Sequence, residues 1–131
     1  MKPLNILLLD DEECICTLVS LLLERNGHTV NTATSGKSAL QFLATQHCDL
    51  IITDIIMPDV DGLEIIQTAK KLRPAVRILA ISGGGDMLSR HDCLKMAKLL
   101  GASAVLSKPF NESQLQEAIN QAYPADFSLA G

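Results

Sequence analysis

Carboxylate, hydroxyl and ammonium side chains follow four short apolar runs in this sequence: Asp10, Asp11, Asp54, Ser82 and Lys108. Carboxylates that are brought together repel one another, and a divalent cation offsets that repulsion. Their hard oxygen atoms suit Mg²⁺, which binds one or two carboxylates together with a phosphate oxygen. A lysine ammonium adds positive charge for the same anion, and a serine hydroxyl can donate to a phosphoryl oxygen. With an aspartate as nucleophile, this set of groups could accept a phosphoryl group by in-line transfer.

Each of these residues also has a structural explanation when it is taken alone. Asp10 and Asp11 would more often cap a helix than bind a metal ion, and Asp54 could simply begin a loop. Lys108 alone would usually be a solvated surface charge. The glycines at 83–85 lack the G-x-G-x-x-G spacing of a dinucleotide site. The joint occurrence of the polar residues, each at the end of an apolar run, favours the phosphoryl site.

Parallel strands would bring these residues to one edge of a sheet. Strand and helix patterns alternate five times along the chain, which predicts an α/β fold with a parallel sheet and helices on both of its faces. The carboxyl ends of such strands lie at one edge, where ligands bind. The second strand is weaker and partly alternating, so we expect it at an edge of the sheet. The predicted strands cover residues 4–9, 28–33, 50–53, 76–81 and 103–106.

Helices are predicted between the strands and after the last one. The first follows the acidic turn at 10–13 and stops at Gly27, which can adopt the left-handed cap. Its predicted buried stripe has helical spacing and consists of Ile15, Leu18, Val19 and Leu22. The last helix is predicted to begin with a capping box formed by Asn111 and Gln114.

The composition restricts the classes of function. The chain has 131 residues, of which 47% are hydrophobic and 20% charged, and its net charge is −4, which indicates one mildly acidic globular domain. Basic residues are spread along it, so direct nucleic-acid binding is not expected. No apolar run approaches the roughly 20 residues of a membrane span, and the amino terminus does not resemble a signal peptide, so we expect a cytoplasmic protein with no membrane contact. The domain is predicted to occupy residues 1–124, followed by a flexible tail at 125–131.

Neither the cysteines nor the histidines have the spacing of a metal site. We interpret the cysteines as free thiols in a reducing compartment: Cys14, Cys16, Cys48 and Cys93. We interpret the histidines as surface or loop residues rather than ligands: His28, His47 and His91.

The motifs around the polar residues are Asp10-Asp11, Asp54 with Met57-Pro58 and Asp61-Gly62, Ser82, and Lys108-Pro109-Phe110. Together they resemble the receiver domain of two-component response regulators, over residues 4–123. The resemblance implies a flavodoxin-like, doubly wound sheet of five parallel strands in the order 2-1-3-4-5, with five helices.

The same resemblance implies a role for each residue. Asp54 would accept a phosphoryl group from a phosphohistidine on a sensor histidine kinase or a histidine phosphotransfer protein. Lys108 and Ser82 would hold the phosphoryl oxygens and shift on phosphorylation. The Mg²⁺ site would comprise Asp10, which acts through water, Asp11, Asp54 and the backbone carbonyl of Ile56.

Two features depart from the family pattern. Many receivers have an aromatic residue three positions before the lysine, whereas this chain has Val105, so readout through an aromatic rotamer is not expected. The segment after Ser82 is glycine-rich and a few residues longer than in the simplest receivers. Because glycines lose more backbone entropy on ordering than other residues, a mobile loop is predicted beside the site.

A receiver without an output domain must signal through a protein contact, and the length of this chain leaves no room for a DNA-binding segment. The resemblance suggests that the fourth helix, fifth strand and fifth helix contact the target protein and that the first helix contacts the kinase. A relay intermediate and a regulator that binds its target when phosphorylated both fit the sequence. The chain could also be a fragment of a longer regulator.

Two other classes of function remain as alternatives. One is a receiver-like module that binds partners without phosphorylation. The other is a small Mg²⁺-dependent phosphatase with an aspartate nucleophile. Such phosphatases need a carboxylate two residues after the nucleophile as general acid, and this chain has Ile56 there. We therefore expect a signalling phosphoacceptor that catalyses only its own phosphorylation and dephosphorylation.

Overall fold

A five-stranded parallel sheet forms the centre of the computed structural model, which describes residues 3–55, 62–82, 95, 97–99 and 101–124. The strands are β1 (Asn5–Leu9), β2 (Thr29–Ala33), β3 (Leu50–Asp54), β4 (Arg77–Ser82) and β5 (Ala104–Ser107). Every neighbouring pair is parallel, and the order is β2-β1-β3-β4-β5. The central strand β3 is buried along its whole length, as its unbroken apolar run predicts. The predicted α/β fold, strand order 2-1-3-4-5 and edge position of β2 are confirmed.

The helices are α1 (Glu13–Arg25), α2 (Gly36–Thr45), α3 (Gly62–Leu72), α4, of which residues 95 and 97–99 are described, and α5 (Glu112–Ala122). Side chains cap the amino-terminal ends of α2 and α5. The Ser35 hydroxyl accepts the Ser38 N–H at the start of α2. The predicted capping box of α5 is confirmed, since Asn111 and Gln114 each accept the backbone N–H of the other.

Two hydrophobic cores lie on opposite faces of the sheet because successive strand residues point to opposite sides. In β1, Leu7 and Leu9 enter one core, and Ile6 and Leu8 enter the other. Helices α2, α3 and α4 cover the first core with residues that include Ala39, Leu43, Ile65, Ile66, Ala69 and Ala97. Helices α1 and α5 cover the second with Cys16, Val19, Leu23, Leu115, Ala118, Ile119 and Ala122. The sheet is therefore doubly wound, as predicted.

Helix α1 buries a different stripe from the one predicted. Val19 is buried as expected, but its buried neighbours on the helix are Cys16 and Leu23. Leu18 is 57% exposed, and Leu22 is only partly buried. Apolar residues occupy most of the circumference of this helix, so their spacing alone does not fix which side faces the sheet.

His28 lies between α1 and β2, but it is buried and not a surface residue. Its Nδ1 accepts the Leu4 N–H at 3.1 Å. Its Nε2 is buried and has no hydrogen-bond partner among the described residues. Burial lowers the pKa of His28 because it disfavours the charged imidazolium, and the positive amino terminus adds to this effect.

The prediction of free thiols is confirmed for Cys14, Cys16 and Cys48. Across the part of the chain that the structure describes, no helix combines the length and the apolar character needed to cross a membrane. The glycine-rich segment that was predicted to be mobile, together with Cys93, His91 and the predicted tail at 125–131, lies outside the described residues.

Candidate functional site

Asp10 is the first residue after β1, and its neighbours fix it on several sides. Its backbone N–H donates to the Ala33 carbonyl at the end of β2, at 3.2 Å. Its Oδ1 accepts the Glu12 N–H at 2.9 Å. The side chain is buried. The Asp10 carboxylate is therefore held at the carboxyl edge of the sheet by contacts to both β2 and the β1–α1 turn.

Asp54 is the last residue of β3 and is also buried. Leu9 of β1 pairs with Thr53 of β3, so the next residues along the two parallel strands, Asp10 and Asp54, lie side by side. The Thr53 hydroxyl donates to the Asp54 backbone carbonyl at 2.9 Å inside the core. The Asp54 side chain therefore extends from the end of a buried strand that is paired on both sides.

Asp11 joins these two residues in an acidic cluster. Asp10, Asp11 and Asp54 each offer a carboxylate oxygen, and these atoms lie within 4.8 Å of one another. Asp11 is exposed, whereas the other two are buried, so the cluster opens to solvent on the side of Asp11. A compact set of hard oxygen donors with one open side fits Mg²⁺, which keeps several of its waters. Ile56, whose backbone carbonyl was predicted as a further ligand, lies outside the described residues.

Lys108 bridges the two buried carboxylates. Its Nζ lies 2.9 Å from Asp54 Oδ2 and 3.0 Å from Asp10 Oδ2, and only 23% of its side chain is exposed. Burial acts to lower the pKa of Lys108, but the hydrogen bonds and charges of Asp54 and Asp10 outweigh it and raise that pKa above the ordinary value. Lys108 therefore stays an ammonium at neutral pH. The three carboxylates and this ammonium carry a formal net charge of −2, which favours a further cation.

Ser82 reaches the same edge as the last residue of β4, where it is fully buried. The predicted strand stopped at residue 81, but β4 includes Ser82, which pairs with Ser107 of β5. The Ser82 carbonyl accepts the Lys108 N–H at 2.8 Å. The peptide bond between Lys108 and Pro109 is cis. Backbone pairing thus places the serine and the lysine together beside the acidic cluster.

Cys16 also contacts this site, although the sequence analysis treated it only as a free thiol. Its Sγ donates to the Asp10 carbonyl at 3.4 Å and lies 3.9 Å from the Ala33 carbonyl. Burial raises the pKa of the Cys16 thiol, and the charge of Asp10 adds to this effect. The position of Cys16 within the first turns of α1, soon after the acidic turn, is the sequence signal that could have indicated its closeness to the site.

The comparisons with known proteins agree with this geometry. Residues 6–120 match the family described as the response regulator receiver domain. The transcriptional regulator NtrC of Azospirillum brasilense is 35% identical over 93% of this chain, which spans only 24% of NtrC. Sporulation initiation phosphotransferase F of Bacillus subtilis is 27% identical over 92% of this chain and 94% of its own length.

A solved structure is also similar over most of the chain. A response regulator protein from Burkholderia pseudomallei has a TM-score of 0.79 and 28% identity, over 89% of this chain and 68% of that one. Its crystal structure contains a phosphorylated aspartic acid, a calcium ion and citrate. The family match covers most of the sequence, and the fold of the solved structures agrees with the sheet order β2-β1-β3-β4-β5. The chain belongs to the response regulator receiver domain family of two-component signalling.

Proposed function

We propose that Asp54 accepts a phosphoryl group from a phosphohistidine on a sensor histidine kinase or a histidine phosphotransfer protein, in a Mg²⁺-dependent reaction. The observation that carries this proposal is the contact of Lys108 with two carboxylates of an acidic cluster whose oxygens lie within 4.8 Å of one another. A structural ion pair needs only one carboxylate for one ammonium. The surplus of negative charge at a sheet edge suits a cation and the phosphoryl group that the cation binds.

In this reaction a carboxylate oxygen of Asp54 attacks the phosphorus atom. The new O–P bond forms as the P–N bond to the donor histidine breaks, and the imidazole leaves with the electron pair. Bound Mg²⁺, held by Asp10, Asp11 and Asp54, would neutralise charge on the phosphoryl oxygens. The ammonium of Lys108 and the hydroxyl of Ser82 supply the remaining positive charge and hydrogen bond on the protein side.

Lys108 also offers a route by which phosphorylation changes the protein surface. Its ammonium is shared by two carboxylates, and a phosphoryl group on Asp54 would offer it a more highly charged acceptor. The Lys108 N–H donates to the Ser82 carbonyl at the end of β4. Lys108 also lies in the segment that leads from β5 to Asn111, the N-cap of α5. A shift of the lysine would therefore act on β5 and α5, which supports an output surface formed by α4, β5 and α5.

The surface of α1 supports the proposed contact with the phosphoryl donor. Leu18 and Leu21 are both more than half exposed, and a spacing of three residues places them together on one side of the helix. The two leucines form a small apolar patch, which suits a contact with another protein. The acidic cluster lies at the amino-terminal end of this helix, because α1 begins two residues after Asp11.

Intact-protein mass spectrometry with acetyl phosphate as phosphoryl donor tests the proposal. The unaltered protein should gain the mass of one phosphoryl group in Mg²⁺ and none in EDTA, and Asp54→Asn should gain none in either. Asp49→Asn is the matched control, because Asp49 lies just before the other end of β3, and it should be phosphorylated normally. Its Oδ2 accepts the Asn5 N–H, away from the acidic cluster.

The outcomes of this experiment separate the alternatives. An adduct that persists in Asp54→Asn would refute Asp54 as the acceptor. No adduct with any protein, and no spectroscopic response to beryllofluoride, would leave a module that binds its partners without phosphorylation. Continuous release of inorganic phosphate without an adduct would instead favour a phosphatase.

A further inference from the structure

Helix α1 begins without the side-chain cap that α2 and α5 have. Its N-cap residue, Glu12, makes no side-chain hydrogen bond to the helix, whereas Ser35 and Asn111 do so in the other two helices. Helix starts leave backbone N–H groups that need partners, and a missing cap loosens the turn before the helix. The β1–α1 turn carries Asp10 and Asp11, so its rigidity matters for the acidic cluster.

The side chain of Cys16 supplies a different connection between α1 and this turn. Its Sγ donates to the Asp10 carbonyl at 3.4 Å, while its own backbone N–H donates to the Glu12 carbonyl at 3.1 Å. The same sulfur lies 3.9 Å from the Ala33 carbonyl, which also accepts the Asp10 N–H. The thiol is thus buried where α1 crosses the carboxyl ends of β1 and β2.

We propose that Cys16 is a positioning residue of the acidic cluster: its thiol holds the Asp10 backbone between α1 and β2, so that the carboxylates of Asp10 and Asp11 face Asp54. Cys16 does not contact the metal or the phosphoryl group. The Asp10 carboxylate accepts hydrogen bonds from the Glu12 N–H and the Lys108 ammonium. The Asp10 N–H donates to the Ala33 carbonyl, and the Asp10 carbonyl accepts from the Cys16 thiol. Outer contacts of this kind orient ligands and commonly change metal affinity when they are removed.

The proposal rests on the proposed function, because it presumes that the acidic cluster binds Mg²⁺. Isothermal titration calorimetry of the unphosphorylated protein with Mg²⁺ measures that affinity, and thermal unfolding in EDTA measures packing separately. Cys16→Ala removes the donor, and Cys16→Ser keeps a donor at the same place. Cys48→Ala is the matched control, since Cys48 is an equally buried free thiol in the other core, before β3 begins.

We expect Cys16→Ala to raise the Kd for Mg²⁺ about 3- to 10-fold, below the usual range for such contacts because a thiol is a weak donor. Cys16→Ser should stay within about 2-fold of the unaltered protein, since its hydroxyl can still reach a carbonyl. Cys48→Ala should bind Mg²⁺ like the unaltered protein even though it lowers the melting temperature. Should Cys16→Ala fail to fold, Cys16→Val removes the donor while it fills the space.

Equal Mg²⁺ affinity for Cys16→Ala and Cys48→Ala would overturn the proposal and leave the proposed function intact. Equal weakening by Cys16→Ala and Cys16→Ser would also overturn it, because only packing would then connect Cys16 to the site. Failure of the unaltered protein to bind Mg²⁺ would overturn both this proposal and the proposed function.

Discussion

The substitution Lys108→Met should destabilise the protein in a way that Mg²⁺ reverses. Methionine removes the ammonium that lies 2.9 Å from Asp54 and 3.0 Å from Asp10, and it keeps a side chain of similar length. The two buried carboxylates then face each other without the cation. At an effective dielectric constant of about 20, two unit charges no more than 4.8 Å apart repel by at least about 3.5 kcal/mol.

The free energy of unfolding should fall by a similar amount. The loss of two charged hydrogen bonds adds to the repulsion, and relaxation of the partly exposed site offsets some of it, so we expect a decrease of about 2–4 kcal/mol in EDTA. Urea unfolding followed by circular dichroism measures this difference. In the proposed function Mg²⁺ binds the folded state, so millimolar Mg²⁺ should restore more stability to Lys108→Met than to the unaltered protein.

Two further variants make this test specific. Lys98→Met removes an exposed ammonium that donates a 3.3 Å hydrogen bond to the Ser103 carbonyl, and it should change stability by less than about 0.5 kcal/mol. The double variant Lys108→Met with Asp54→Asn removes the repulsion and should recover most of the loss. A decrease below about 0.5 kcal/mol for Lys108→Met, or a decrease unaffected by Mg²⁺ and by Asp54→Asn, would refute the electrostatic reasoning.

Two predictions concern residues outside the acidic cluster. Burial holds the pKa of His28 below its ordinary 6.5, so its contribution to stability is complete above about pH 6.5 and is lost as the pH falls towards the folded-state pKa. Urea unfolding at about pH 7 and about pH 5 should show a smaller pH effect for His28→Gln than for the unaltered protein, and parallel profiles would contradict this. Leu23→Ala should lower the free energy of unfolding by about 3 kcal/mol, because Leu23 is fully buried. Leu21→Ala, with 61% exposure, should change it by less than about 0.5 kcal/mol, and equal losses would mean that α1 faces the sheet differently.

The order of elements and the position of the site could be predicted from the sequence because both depend on simple patterns. A short apolar run such as Leu50–Thr53, followed by a turn sequence, favours a strand covered on both sides. Once the strands are parallel, Asp54 and Asp10 must meet at one edge. The carboxylates were therefore placed together without knowledge of any distance.

Two kinds of contact could not be predicted. One depends on which side of a helix faces the sheet, and the other joins residues that are far apart in the sequence. Apolar residues occupy most of the circumference of α1. Their spacing predicted that Leu18 would be buried, whereas Leu23 is buried and Leu18 is exposed. His28 gave no periodic signal, because its burial depends on the backbone of Leu4, which lies far away in the sequence. The position of Cys16 early in α1 indicates that it lies near the acidic turn, but its donation to the Asp10 carbonyl depends on how α1 packs and could not be predicted.

The contact between Lys108 and Asp10 spans 98 residues and has a consequence for the order in which the protein folds. Contacts between distant parts of a chain form late, because the intervening segment must first be ordered. Pairing of β1 with β3 places Asp10 and Asp54 side by side, whereas the ammonium that joins them belongs to Lys108, directly after β5. Docking of β5 completes the sheet. It also brings the Lys108 ammonium to the two carboxylates, which offsets their mutual repulsion. The proposed phosphoryl site is thus complete only when the last strand has joined the sheet, so formation of the site reports completion of the fold.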